Sequence, residues 1–380
     1  MNDAPIHDLL RVMAQRDGSD LYLTVGAPAT LRSNAGISPL DAVTLDDAAI
    51  NALLDSLIDA HQSAEFNRTG ELNFALDMGK EGRFRVNVFR QRQHPGMVIR
   101  RIREAIPTLA MLGLPPVLGD LACEKRGLIL LVGGTGSGKS TTLAAMLDAR
   151  NRTQDGHIIT IEDPIEFIHD HQRSIMTQRE VGTDTDSFHT ALKNALRQKP
   201  DAILIGEIRD AHVMEQAISM AETGHLCLAS LHANNAPQTL ERILNFFDKG
   251  RHAQILLNLS LNLRAVIAQR LVSNLHGGRT VALEIMLNQG LVRDLVQRGE
   301  TEKLKEVMAK NSANGMMTFD QALVDMYVKG EISEAAALAE ADVPGEVRLA
   351  IRQSDLGGGA AGKTGALSGL DTSRLSLSDG

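Results

Sequence analysis

The chain has 380 residues, 43% of them hydrophobic and 3% aromatic, with a net charge of −8, which fits a globular protein of two or three domains and argues against a nucleic-acid binder needing a basic face or stacking rings. Cys123 and Cys227 stand far apart, which excludes a disulfide framework and a C-x-x-C zinc module and points to a reducing, cytoplasmic compartment. The N-terminus lacks a basic and apolar leader, and no apolar run approaches the roughly 20 residues that span a bilayer, so direct membrane insertion is not expected and any membrane association must run through a partner.

In chain order, Ile6, Leu9, Leu10 and Met13 recur at helical spacing, and Leu21 to Val25 reads as a strand after the break at Asp17 to Asp20. A loop containing Pro28 and Pro39 follows. Asp46 to Leu57 is expected to be helical, with a capping box from Thr44 to Asp47. Phe74 to Asp77 and Gly82 to Phe89 read as strands, the second alternating Phe84, Val86 and Val88 with Arg83, Arg85 and Asn87. A turn at His94-Pro95-Gly96 is expected to return the chain into Met97 to Arg100. Between Lys80 and Arg103 eight basic residues face one acid, Glu81. Three readings of that cluster stand: a solvated sheet face, a phosphate-sensing edge, or a patch for nucleic acid or anionic lipid, the last weakened by the lack of interleaved aromatics.

Residues 1–102 thus form a small α+β domain, and Pro107, Pro115 and Pro116 punctuate a linker over 103–117. From Leu128 to about Val213 strands alternate with helices, the pattern of a mostly parallel sheet covered on both faces. From Thr239 onward, including the apolar run Ile255 to Val272, the chain is expected to be mainly helical, with a capping box at Thr318 and Gln321 and a stop at Gly330. The second domain covers 118–353. The Gly, Ser and Ala composition of 354–380 predicts a disordered tail.

The chemistry centres on Gly133-Gly134-Thr135-Gly136-Ser137-Gly138-Lys139-Ser140, a full G-x-x-x-x-G-K-[ST] loop between the apolar run Gly127 to Val132 and a helix opening at Ser140-Thr141. Strand, glycine loop and helix aim consecutive backbone N–H groups at one anion, so these residues and Thr141 are the candidate ATP-binding set, with Lys139 as a mobile cation and Ser140 as a ligand for Mg²⁺. Gly357 to Thr364 matches the same pattern. It has no preceding strand and no helix after it, so it reads as coincidence.

The strand Ile158 to Ile161 delivers Glu162-Asp163-Pro164-Ile165-Glu166 to the sheet edge where open α/β folds bind ligands, and Glu166 is the candidate general base. Ala202 to Ile205 ends in Gly206-Glu207, a Walker B form in which Glu207 supports Mg²⁺ through water. Leu226 to Leu231 is bracketed by His225 and His232. His232 is expected to contact the γ-phosphate, and His225 joins the candidate ATP-binding set.

Gly133 to Ser140, the acidic box Thr160 to Phe167, the Ile203 to Asp210 run and the histidine box from Thr223-Gly224-His225 to His232-Ala233-Asn234 resemble the four signatures of type II/type IV secretion-family ATPases. Length and the Phe84-Arg85-Val86-Asn87 strand resemble its twitching-motility branch, the PilT/PilU retraction ATPases of type IV pili, from the first helix to about Ile351. Gly290 to Gln297 departs from the AIRNLIRE-like motif of PilT and, with Gly134 and Thr318 to Gln321, looks like the PilU form. The resemblance implies a PAS-like N-terminal domain on a RecA-like P-loop domain, a hexameric cytoplasmic motor peripheral to the inner membrane, and as partners a PilT-like ATPase and the pilus platform protein. It implies ATP and Mg²⁺ as cofactors. It also implies that Arg85 and Arg100 read the γ-phosphate, so that hydrolysis releases a closed arrangement of the two domains. Rival readings are an assembly or secretion ATPase, which usually carries a further N-terminal domain and a tetracysteine site, an ATP-binding adaptor with little turnover, and a DNA translocase.

Overall fold

The computed structural model describes residues 5–33, 36–79, 82–102 and 105–357, and the second loop match from Gly358 onward, Lys80, Glu81 and Arg103 lie outside them. The chain divides into two compact units, Met1–Ala105 with Ile165–His169, and Ile106–Pro164 with Asp170–Gly380.

The first unit runs α1 (Pro5–Gln15), β1 (Asp20–Thr24), β2 (Pro28–Ser33), β3 (Gly36–Thr44), α2 (Asp47–Asp55), α3 (Ala60–Thr69), β4 (Glu71–Asp77), β5 (Arg83–Gln91) and β6 (His94–Ile102). Its six strands form an antiparallel sheet in the order β3-β2-β1-β6-β5-β4. Strict alternation on β5 buries Phe84, Val86 and Val88. They meet Ile6, Leu10 and Met13 of α1, each fully buried and worth about 1.5–3 kcal/mol.

Three local expectations in this unit need correction. Helix α2 is capped by Asp46, whose carboxylate accepts from the Ala49 N–H at 2.8 Å, while Thr44 ends β3. The β5–β6 turn lies at Arg92-Gln93, both with positive φ (48° and 73°), and His94 already pairs with Gln91. Two left-handed residues match the twist of a two-residue hairpin, which a Pro-Gly pair three positions later cannot do. Pro28 and Pro39 sit in β2 and β3 rather than in a loop. Strand β3 is an edge, where a missing N–H is tolerated.

The second unit runs α4 (Val117–Ala122), β7 (Gly127–Val132), α5 (Lys139–Thr153), β8 (Gly156–Glu162), β9 (Ser174–Glu180), α6 (Phe188–Ala195), β10 (Ala202–Ile205), α7 (Ala211–Glu222), β11 (Leu226–Leu231), α8 (Ala236–Leu244), α9 (His252–Asn262), β12 (Leu263–Ser273), β13 (Arg279–Leu287), α10 (Leu291–Arg298), α11 (Leu304–Lys310), α12 (Phe319–Val328), α13 (Glu334–Glu340) and α14 (Pro344–Gly357). The sheet order is β13-β12-β7-β11-β10-β8-β9, parallel throughout except for the antiparallel β12–β13 pair. Strand β7 is buried at every position, sending Leu128, Leu130 and Val132 into one core and Ile129 and Leu131 into the other.

The expectation that Ile255 to Val272 is helical fails at Asn262. Beyond it Val266, Ile267 and Val272 belong to β12, which pairs with β7 on one side and β13 on the other. An apolar run without a break carries either period, and partners on both sides select the strand. The capping box at Thr318 and Gln321 forms, and Gly330 takes φ 71° two residues beyond α12. Among the described residues no helix is long and apolar enough to cross a membrane.

Candidate functional site

Residues Gly133 to Gly138 leave the end of β7 and turn into α5. Gly138 is the N-cap, in the left-handed region with φ 87°, and has no side chain to occupy the first-turn N–H groups. Those donors, with the positive end of a 15-residue helix, are the arrangement that can hold an anion. The Lys139 ammonium donates to the carbonyls of Gly133 and Gly134, both at 2.9 Å, so the cation lies over the loop it serves.

The two sides of the loop differ. A Cβ on Gly134 or Gly136 would meet nothing within 4 Å, whereas one on Gly133 would come within 2.5 Å of the Gln269 carbonyl. Gln269, 1% exposed on β12, donates through Nε2 to the Ser137 carbonyl at 2.7 Å and accepts from Thr142 Oγ1 at 2.8 Å. Sequence reasoning missed this residue. It lies 132 positions from Ser137, and a lone glutamine in an apolar run carries no motif.

Beside the loop, parallel strands bring their C-terminal ends to one edge. Strand β8 ends at Glu162, which accepts from Thr160 Oγ1 at 2.6 Å, with Asp163 next. After β10, Glu207 accepts from Arg209 Nε at 3.2 Å and lies 3.1 Å from His232 Nε2, just beyond β11. Arg209 also reaches Asp163 Oδ2 at 3.1 Å. Burial alone would lower the Arg209 pKa, but Glu207 and Asp163 raise it. The Ser230 hydroxyl donates to the Gly206 carbonyl at 2.5 Å, and Ile208 N–H to Ser230 O at 2.9 Å, which pins the Glu207 turn to β11. A cavity of about 300 Å³ opens on Gly133 and Gly134, lined also by His232, Asn234, Gln238 and Arg242.

His225 needs correction. Leu226 pairs with Gly127 and Leu231 with Val132, so His225 precedes β11 at the edge opposite the loop, where its carbonyl accepts from Gly127 N–H. Seven strand steps put it roughly 20 Å from His232. Its ring lies near Thr223 Oγ1 and Met220 O, both at 3.2 Å, and it takes no part in the phosphate loop of its own chain.

Arg85, Arg100 and Glu166 belong to the first unit. Register places Arg32, Asp20, Arg100 and Arg85 in one row across β2, β1, β6 and β5, on the face opposite the core. Arg100 Nε donates to the nearly buried Asp20 at 2.8 Å while its own side chain stays 70% exposed. That bond, with a smaller contribution from Glu166, raises the Arg100 pKa. The cluster of basic residues is therefore not uniform, since Arg101 turns instead to the Ala14 carbonyl.

Comparison with known proteins gives these residues a context. The Type II/IV secretion system protein family matches residues 68–310. The type IV pilus ATPase PilU of Pseudomonas aeruginosa is 50% identical over 345 residues, 90% of each chain. The pilus retraction ATPase PilT of the same organism is 38% identical over 339 residues, covering 89% of this chain and 98% of its own. The crystal structure of the pilus retraction motor PilT with bound ADP superposes with a TM-score of 0.84 at 38% identity, covering 90% of this chain and 99% of that one.

Proposed function

The chain belongs to the Type II/IV secretion system protein family, and from that premise we propose that it is a type IV pilus retraction ATPase of the PilU/PilT kind, which hydrolyses ATP to drive twitching motility. The observation that carries this reading is one sheet edge holding a complete phosphate loop together with Asp163, Glu207 and His232.

In this reading the loop amides and Lys139 bind the polyphosphate, and His232, already paired with Glu207, responds to the terminal phosphate. Glu166 orients and deprotonates the attacking water. Arg85 and Arg100 offset charge on the γ-phosphate, and the Asp20 bond keeps the Arg100 fork in a fixed orientation for that task. A Mg²⁺ ion fits the donor set, since it takes one hydroxyl and one or two carboxylates beside substrate phosphates. Ser140 and, through water, Glu207 would hold it, and it would neutralise phosphate charge.

The first unit is read as PAS-like and the second as RecA-like. The motor is read as a hexamer in the cytoplasm, peripheral at the inner membrane through the pilus platform protein and working with a PilT-like ATPase. Nucleotide binding to the purified chain tests the premise. Lys139→Ala is expected to weaken ATP at least about 30-fold, the equivalent of about 2 kcal/mol for an unpaired phosphate charge. Lys363→Ala should bind as wild type, and the reverse pattern would transfer the site to the second loop match.

A further inference from the structure

A trans peptide is planar, so its C=O and N–H point in opposite directions and fixing one fixes the other. The Ser137 carbonyl is fixed by Gln269 Nε2 at 2.7 Å, which turns the N–H of the same peptide, that of Gly138, away from β12. The direction of the glutamine amide is also determined. Thr142 Oγ1 can serve either end of it, but Ser137 O is an acceptor and demands the NH₂ group. The glutamine side chain also packs closely on the loop, because a Cβ on Gly138 would come within 2.9 Å of Gln269 Nε2. Strand β12 is the parallel neighbour of β7, with Ala268 opposite Val132, so the glutamine stands on the strand beside the one that launches the loop.

We propose that Gln269 is a positioning residue of the phosphate loop, holding the Ser137–Gly138 peptide so that the Gly138 N–H is presented to the polyphosphate of bound nucleotide. The proposal rests on the nucleotide-binding reading above and adds to it a residue outside every motif. Gln269 touches no substrate. It acts through one peptide plane, and its loss weakens the bound state and the transition state alike, raising KM more than it lowers kcat.

The test uses the full chain, a fluorescent N-methylanthraniloyl ADP as probe, and binding titrations at pH 6 and pH 8. Gln269→Met has no donor and is expected to bind about tenfold more weakly at both pH values. Gln269→Glu keeps the shape but sets an oxygen against the Ser137 carbonyl. Burial raises the pKa of the introduced carboxyl, so at lower pH it becomes an O–H donor. Its affinity should be about tenfold down at pH 8 and recover toward wild type at pH 6, a rescue that loss of packing would not give. Affinities within twofold of wild type for both variants would overturn the proposal, as would a Gln269→Glu deficit that is the same at both pH values. If Gln269→Met does not fold, Thr142→Val, which frees the other end of the amide, must weaken binding two- to threefold, and an unchanged affinity overturns the proposal. A wild-type chain that does not bind the probe removes the nucleotide reading itself. Wild-type binding beside unaffected variants removes the positioning role alone.

Discussion

The two sheets place their chemistry differently because they are buried differently. In the second unit β7, β10 and β11 are buried on both faces, so no position within those strands can meet a ligand and the polar residues gather just past their ends. In the first unit β5 packs one face on the core, and the other carries Asn87, Arg85 and Arg83 at intermediate burial. There the candidate residues form a row across strands. A parallel sheet therefore gathers its candidate residues at an edge and a half-covered antiparallel sheet lays them out on a face.

Breaking the face should cost more turnover than breaking any single contact at the edge. Arg85→Ala combined with Arg100→Ala is expected to lower steady-state ATP turnover about 100-fold or more while ATP binding holds, since donors on the γ-phosphate matter most as charge develops. Turnover unchanged in that double variant would return the row to a solvated sheet face. The edge can be tested against its opposite end. His232→Ala should lower turnover about tenfold through loss of its Glu207 contact, and His225→Ala, at the far end of β11, should leave kcat within twofold. Equal losses would mean that position along the strand is not what matters.

The smallest expected effect concerns stability. Glu284 on β13 is fully buried and accepts from the Ala236 N–H, at the head of α8, at 2.7 Å. Burial pushes its carboxyl up to about 7, against an opposing contribution from that hydrogen bond. The folded chain therefore binds a proton that the unfolded chain has released, and stability falls as pH rises from about 4.5 to about 7. Glu284→Gln should raise the urea midpoint at pH 8 by the equivalent of about 1–3 kcal/mol and converge with wild type near pH 5. A gain that is independent of pH would assign the effect to packing.

What was legible in the sequence was what is local. The phosphate loop, its strand and its helix are contiguous, and so are the acidic turns after β8 and β10. The Thr318–Gln321 box is decided within four residues. What was not legible depends on partners far along the chain. Gln269 acquires meaning from Ser137, and β12 becomes a strand because β7 and β13 flank it. His225 and His232 bracket one strand, and only the parallel register with β7 shows which of the two ends lies beside the loop. Pro95-Gly96 is a strong local turn signal, but the inter-strand register puts Arg92 and Gln93 in the turn instead.

The claim that this chain is itself a working ATPase, and not an adaptor that binds nucleotide without turnover, is tested most directly by steady-state ATP hydrolysis of the purified wild type beside Glu166→Gln, each alone and with a PilT-type ATPase. The wild type should hydrolyse ATP, and Glu166→Gln should fall about 100-fold or more while still binding it, as loss of a general base requires. A wild type that binds ATP but hydrolyses none in either condition, or a Glu166→Gln variant that turns over like wild type, would contradict the account.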